Sequence, residues 1–84
     1  MIPTVHLNGT SKDELLRQVH NAARAVDAVR IALADATPNG RDFYPQGPSA
    51  LVKALDEHRA RQQRMTDTYD ELMALYMAIE EQGQ

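Results

Sequence analysis

Asn39-Gly40-Arg41-Asp42-Phe43-Tyr44-Pro45-Gln46-Gly47 breaks an otherwise helical pattern, and that break decides the fold. A linker that only reverses the chain needs about half as many residues, drawn from Gly, Ser and Asp. This one carries an arginine, an aspartate, two adjacent aromatics and a glutamine. Pro38-Asn39-Gly40 is a turn signal, and Gly40 allows backbone amides to approach a bound group closely.

On the N-terminal side of the break, Ser11-Lys12-Asp13-Glu14 opens a helix. Ser11 is placed to accept from the Glu14 amide while the Glu14 carboxylate reaches back, and both acids suit the positive end of the helix dipole. Leu15, Val19, Ala22, Val26, Val29, Leu33 and Ala36 then recur in steps of four and three, an a/d seam along one face. Asp13 with Arg17 and Asp27 with Arg30 read as surface pairs. Thr37-Pro38 ends the helix, because the residue before proline is pushed out of the α region.

On the other side a second helix is predicted to start at Pro48 and run to Gln82. Its seam is Leu51, Leu55, His58, Gln62, Met65, Tyr69, Leu72, Tyr76 and Ile79, and beyond Met65 the apolar face widens to take in Met73, Leu75 and Met77. Residues 1–10 form an arm with alternating Val5 and Leu7 and an Asn8-Gly9 turn, too apolar at Ile2, Val5 and Leu7 to stand free. The expected architecture is therefore all-α: one domain over 1–84, with an arm (1–10), helix 1 (11–36), a functional loop (37–47) and helix 2 (48–82).

At 1.5 Å per residue the helices are roughly 38 and 50 Å long. With Ala36 set beside Pro48, helix 2 is expected to overshoot at its C-terminal end. That end carries Met65, Tyr69, Leu72, Met73, Tyr76 and Ile79, and a two-helix hairpin does not close a core alone. The expectation is a homo-oligomeric helical bundle, a dimer first, with those six residues at the interface.

Bulk composition narrows the function. The 84 residues contain no cysteine, so disulfides, thiolate chemistry and Cys-based metal sites are excluded. His6, His20 and His58 lack metal spacing on one helix. Net charge is -3, against general nucleic-acid binding. No basic start with an apolar core follows Met1, and no apolar run approaches the ~18 residues of a membrane span. Asn8-Gly9-Thr10 fits a glycosylation sequon but reads as a turn. The expectation is a cytoplasmic protein without a cofactor. No Ser/His/acid set or carboxylate pair assembles, so it is also expected not to be an enzyme.

Two polar features lie in or near the helices. His58 and Gln62, expected opposite Val26 and Ala22, are either a register-fixing pair or a small pocket with His58 as ligand contact or base. Arg59, Arg61 and Arg64 form a basic cluster, either a solvated face or an anion lure.

In the loop, Arg41 offers a planar fork for phosphate or carboxylate, and Phe43 and Tyr44 offer faces for stacking. Asn39, Asp42 and Gln46 present polar edges. These are the parts of a small nucleotide-like ligand site, with Gly40 at its base and His6 and Asn8 from the arm behind it. The competing reading is structural: Phe43 and Tyr44 plug the hairpin while Arg41 and Asp42 pair with neighbours.

The head Ile-Pro-Thr-Val-His-Leu-Asn-Gly-Thr-Ser (2–11), together with Asn39–Gly47, resembles a family of small accessory proteins of tailed phages and bacterial prophages. The similarity covers nearly the whole length, with the head and loop its specific parts. It implies a viral accessory role inside the host bacterial cell and carries over no catalytic residue. Two functions follow as expectations. One is sequestration of a small anionic nucleotide-like ligand, such as a host immune signal. The other is a helical module that binds and inhibits a host or phage protein.

Overall fold

The computed structural model describes residues 1–83 and is all-helical among them. Helix α1 spans Lys12–Asp35 and helix α2 spans Ala50–Glu80. Between them lie two single-turn 3-10 helices, Gly40–Asp42 and Tyr44–Gln46. The two long helices pack against each other as a hairpin.

The start of α1 is the one expected: Ser11 Oγ accepts from the Glu14 amide at 3.1 Å. The Glu14 carboxylate, however, does not reach back. It turns down the helix to accept from the Arg17 guanidinium and the Gln18 amide, which takes Arg17 away from Asp13. Asp27 and Arg30 do pair, at 3.4 Å. At the other end Ala36 caps α1 and Thr37 Oγ1 donates to the Ala34 carbonyl at 2.7 Å, so the helix stops before Pro38. Helix α2 starts two residues later than Pro48 because Gly47, at φ 103, and the turn at Pro48-Ser49 come first.

Four contacts set the register. Lys12 Nζ donates to the Gln82 carbonyl at 2.6 Å, and the His20 and Tyr76 rings stand 6.2 Å apart. The Arg30 guanidinium lies 4.8 Å from the Tyr69 ring centre, and His58 Nε2 is 2.8 Å from the Leu33 carbonyl oxygen. The end of α1 is therefore level with His58, so His58 does not face Val26. This reverses the expected overshoot. The first two turns of α2 run past α1 by about 12 Å, at the loop end. The cause is the connection from Ala36 to Ser49, which lays two 3-10 turns along α2 rather than reversing tightly.

The α2 seam is as read: Leu51, Leu55, Gln62, Met65, Tyr69, Leu72 and Tyr76 are half-buried, and His58 and Ile79 are buried. The α1 seam is rolled by one position at two places. Ala23 and Arg30 face inward, while Ala22, Val29 and Ala36 are exposed. Arg30 fits there because its stem covers apolar surface while the guanidinium stacks on Tyr69, a role that periodicity scores as surface.

Ile79, expected at an oligomer interface, is 0% exposed within the single chain. The N-terminal segment is tied to this end of α2. Gln82, one turn beyond Ile79, accepts from the Val5 amide through Oε1 (2.8 Å) and donates to the Pro3 carbonyl through Nε2 (2.7 Å). The other five interface candidates, Met65, Tyr69, Leu72, Met73 and Tyr76, are half-buried in the hairpin, and Met77 is an exposed large apolar residue of that end.

The product is a rod of 62 × 18 × 16 Å with a radius of gyration of 18.8 Å. A compact chain of this length has a radius of about 12 Å. Its accessible surface is 6227 Å², where a compact monomer of this mass exposes about 5,000 Å². Among the described residues, only Ala23 and Ile79 form a buried apolar core.

Candidate functional site

The tip of the hairpin is built from short-range bonds. Asn39 Oδ1 accepts from the Arg41 amide at 2.9 Å and from Arg41 Nε at 3.4 Å, capping the first 3-10 turn. The amides of Asp42, Phe43, Gln46 and Gly47 donate to the carbonyls of Asn39, Gly40, Phe43 and Tyr44, at 3.0 to 3.2 Å. Gly40 rests on α2, where an added Cβ would stand 3.5 Å from Leu51 Cδ2. Phe43 is half-buried.

The remaining tip residues face solvent. Tyr44 is 79% exposed, and Arg41, Asp42 and Gln46 are exposed beside it. Among the described residues, the ion pairs are Glu14–Arg17, Asp27–Arg30 and Asp56–Arg59, so neither Arg41 nor Asp42 is spent on one. Phe43 is thus half-buried while Tyr44 is exposed, and Arg41 bonds its neighbour Asn39 rather than an acid. Asn39 is divided: its oxygen serves the turn, and its amide nitrogen stays available.

His6 and Asn8 stand apart from this group. They belong to the turn in which the Gly9 amide donates to the His6 carbonyl at 3.1 Å, next to Lys12 and Gln82. The His6 ring lies over Gly9 so closely that a Cβ there would come within 2.8 Å of Nε2. This turn sits at the opposite end of the 31-residue α2 from the tip, about 45 Å away. Within one chain, then, the arm and the loop do not form a common site.

His58 is 3% exposed and fully engaged. Arg61 Nη1 donates to its Nδ1 at 3.2 Å, which leaves Nε2–H to donate to the Leu33 carbonyl. The ring therefore clips the last turn of α1 to α2, with Arg61 rather than Gln62 as its neighbour. Arg59 turns to Asp56 at 3.4 Å, so the basic cluster is partly neutralised. A second cluster of charged groups lies at the other end. The Arg17 hydrogen bond, helped by Gln18, keeps the Glu14 carboxyl below the usual range and raises Arg17 in turn.

Two open depressions flank the rod. One, of about 460 Å³, is lined by Asp27, Arg30, Ile31, Ala34, Gln62 and Thr66. The other, of about 410 Å³, lies between Met1, Ile2 and the Glu71–Leu75 turn of α2. Sequence reasoning missed the first because it depends on Arg30 turning inward. Among the described residues no three His, Asp or Glu side chains converge as metal ligands. No helix there is long and apolar enough to cross a membrane. Comparison with protein-family models, with curated proteins and with solved structures finds no significant match.

Proposed function

We propose that this chain is a non-enzymatic, homo-oligomeric accessory protein of the tailed-phage type, which binds and sequesters a small anionic nucleotide-like ligand at its interhelical tip. The observation that carries the reading is Tyr44, held 79% exposed on an ordered turn beside an Arg41 that has no acidic partner. A stacking face next to an exposed guanidinium, bonded through Nε to Asn39 rather than to an acid, suits a base and its phosphate. The tip is convex in one chain, so a second copy supplies the enclosing wall. Inside a bacterial host, such a protein would withdraw an immune signal by tight binding without turnover.

The test is a melting screen against cyclic and linear nucleotides. Ligand at a hundred times its Kd stabilises by about 2.7 kcal/mol. Arg41→Ala should melt like the parent without ligand and lose the shift with it. Absence of any shift across the panel rejects the reading.

A second reading, a helical module that docks on and inhibits a host or phage protein, is favoured by one feature: apolar Val29, Ile31, Val52 and Met77 are all 44% exposed or more. Co-purification of a stoichiometric protein, together with silence in the nucleotide screen, would select it.

A further inference from the structure

One face of α1 has no partner in the chain. Ala22, Ala25, Val29, Ala32 and Ala36 are exposed, follow one another in steps of three and four, and include no charged side chain. Half-buried Val19, Val26 and Leu33 border them. The opposite flank of the same helix is charged, with Arg17, Arg24 and Asp27. An uncharged face with short side chains lets a second helix approach to about 8 Å between axes.

Area states what the face is for. The chain exposes 6227 Å², roughly 1,200 Å² more than a compact monomer of its mass. A stable interface takes about 800 Å² from each partner. The excess is thus of the size that one further copy covers.

We propose that two copies pair α1 against α1, antiparallel, about a two-fold axis passing beside Val29, midway between Ala22 and Ala36. A self-matching face closes by such an axis without leaving a free end. The inference rests on the oligomer proposed above and says how its site is completed. Val29 is level with about Met65 of α2. From there the tip on Leu51 lies some 20 Å toward one end, and Lys12 lies some 25 Å toward the other. The two-fold therefore sets Arg41 and Tyr44 of one copy at the height of the partner subunit's His6 and the partner subunit's Asn8. Loop and arm, separated within a chain, come level between chains.

The cysteine-free sequence makes the test direct. On mild oxidation Val29→Cys, next to the axis, should give a covalent dimer, since disulfides need Cα atoms within about 7 Å. Ile31→Cys, on the other flank and 65% exposed, should not. Mixing Asn8→Cys chains with Tyr44→Cys chains should yield the mixed species under a short bismaleimide. If the parent chain sediments as a single copy, both the oligomer and this pairing fall. If it assembles but Ile31→Cys crosslinks and Val29→Cys does not, the oligomer stands and this face is wrong. If Val29→Cys crosslinks and the mixed species never forms, the shared loop-and-arm site is overturned.

Discussion

Replacing His58 by alanine is the sharpest test of what holds the hairpin in register. The ring is 3% exposed and makes the side-chain bond that joins the end of α1 to α2. Its removal forfeits the bond to Leu33, worth about 1 kcal/mol net, and the bond from Arg61, worth less because Arg61 can turn to water. The void left by the imidazole adds about 1–2 kcal/mol in a site that collapses partly. A total of about 2–3 kcal/mol corresponds to a fall of about 15 °C in Tm for a domain of this size. Circular dichroism melts at one fixed chain concentration read it, since association also contributes to Tm. His58→Gln, whose amide can still donate to the Leu33 carbonyl, should recover about half. Melting of His58→Ala within about 3 °C of the parent, or no benefit from glutamine over alanine, refutes the clip.

Gln82→Ala removes both bonds to the N-terminal segment and should cost about 1–2 kcal/mol. Hydrogen exchange at the Val5 amide reports it directly, rising while α1 stays protected. Gly47→Ala forces a side chain onto φ 103 and should cost about 1–3 kcal/mol with helical content retained, seen as a lower Tm at an unchanged spectrum. The Glu14 carboxyl titrates below its ordinary value, so its contribution is complete above that value and is lost as pH falls through the lowered one. Glu14→Gln should therefore lower Tm at neutral pH and leave the difference from the parent smaller in acid, as melts across the acid limb would show.

Much of this architecture is legible in the residues. The spacing of Leu51 through Ile79 marks the buried face of α2, and Ser11 marks the start of α1, because period and capping are local properties. The register is not local. It depends on whether the connection from Ala36 to Ser49 reverses or lies along α2, and turn signals such as Pro38-Asn39-Gly40 do not state a direction. The roll of α1 is hidden for a related reason. Ala22 and Ala23 score alike, as do the outward and inward places for Arg30, until Tyr69 supplies a ring for the guanidinium. At the tip, composition names the candidate residues but not their division of labour. Phe43 and Tyr44 are neighbours of the same type, and only the break between the two 3-10 turns leaves one half-buried and the other exposed.

Every hydrogen bond that shapes the tip begins and ends within a few residues of Asn39 to Ala50. The segment carries its own internal bonds, while its length and its course along α2 help to set where the end of α1 meets His58. Exposed side chains such as Tyr44 and Gln46 can therefore be exchanged at the tip with the helical shaft unchanged, provided the length of the connection is kept.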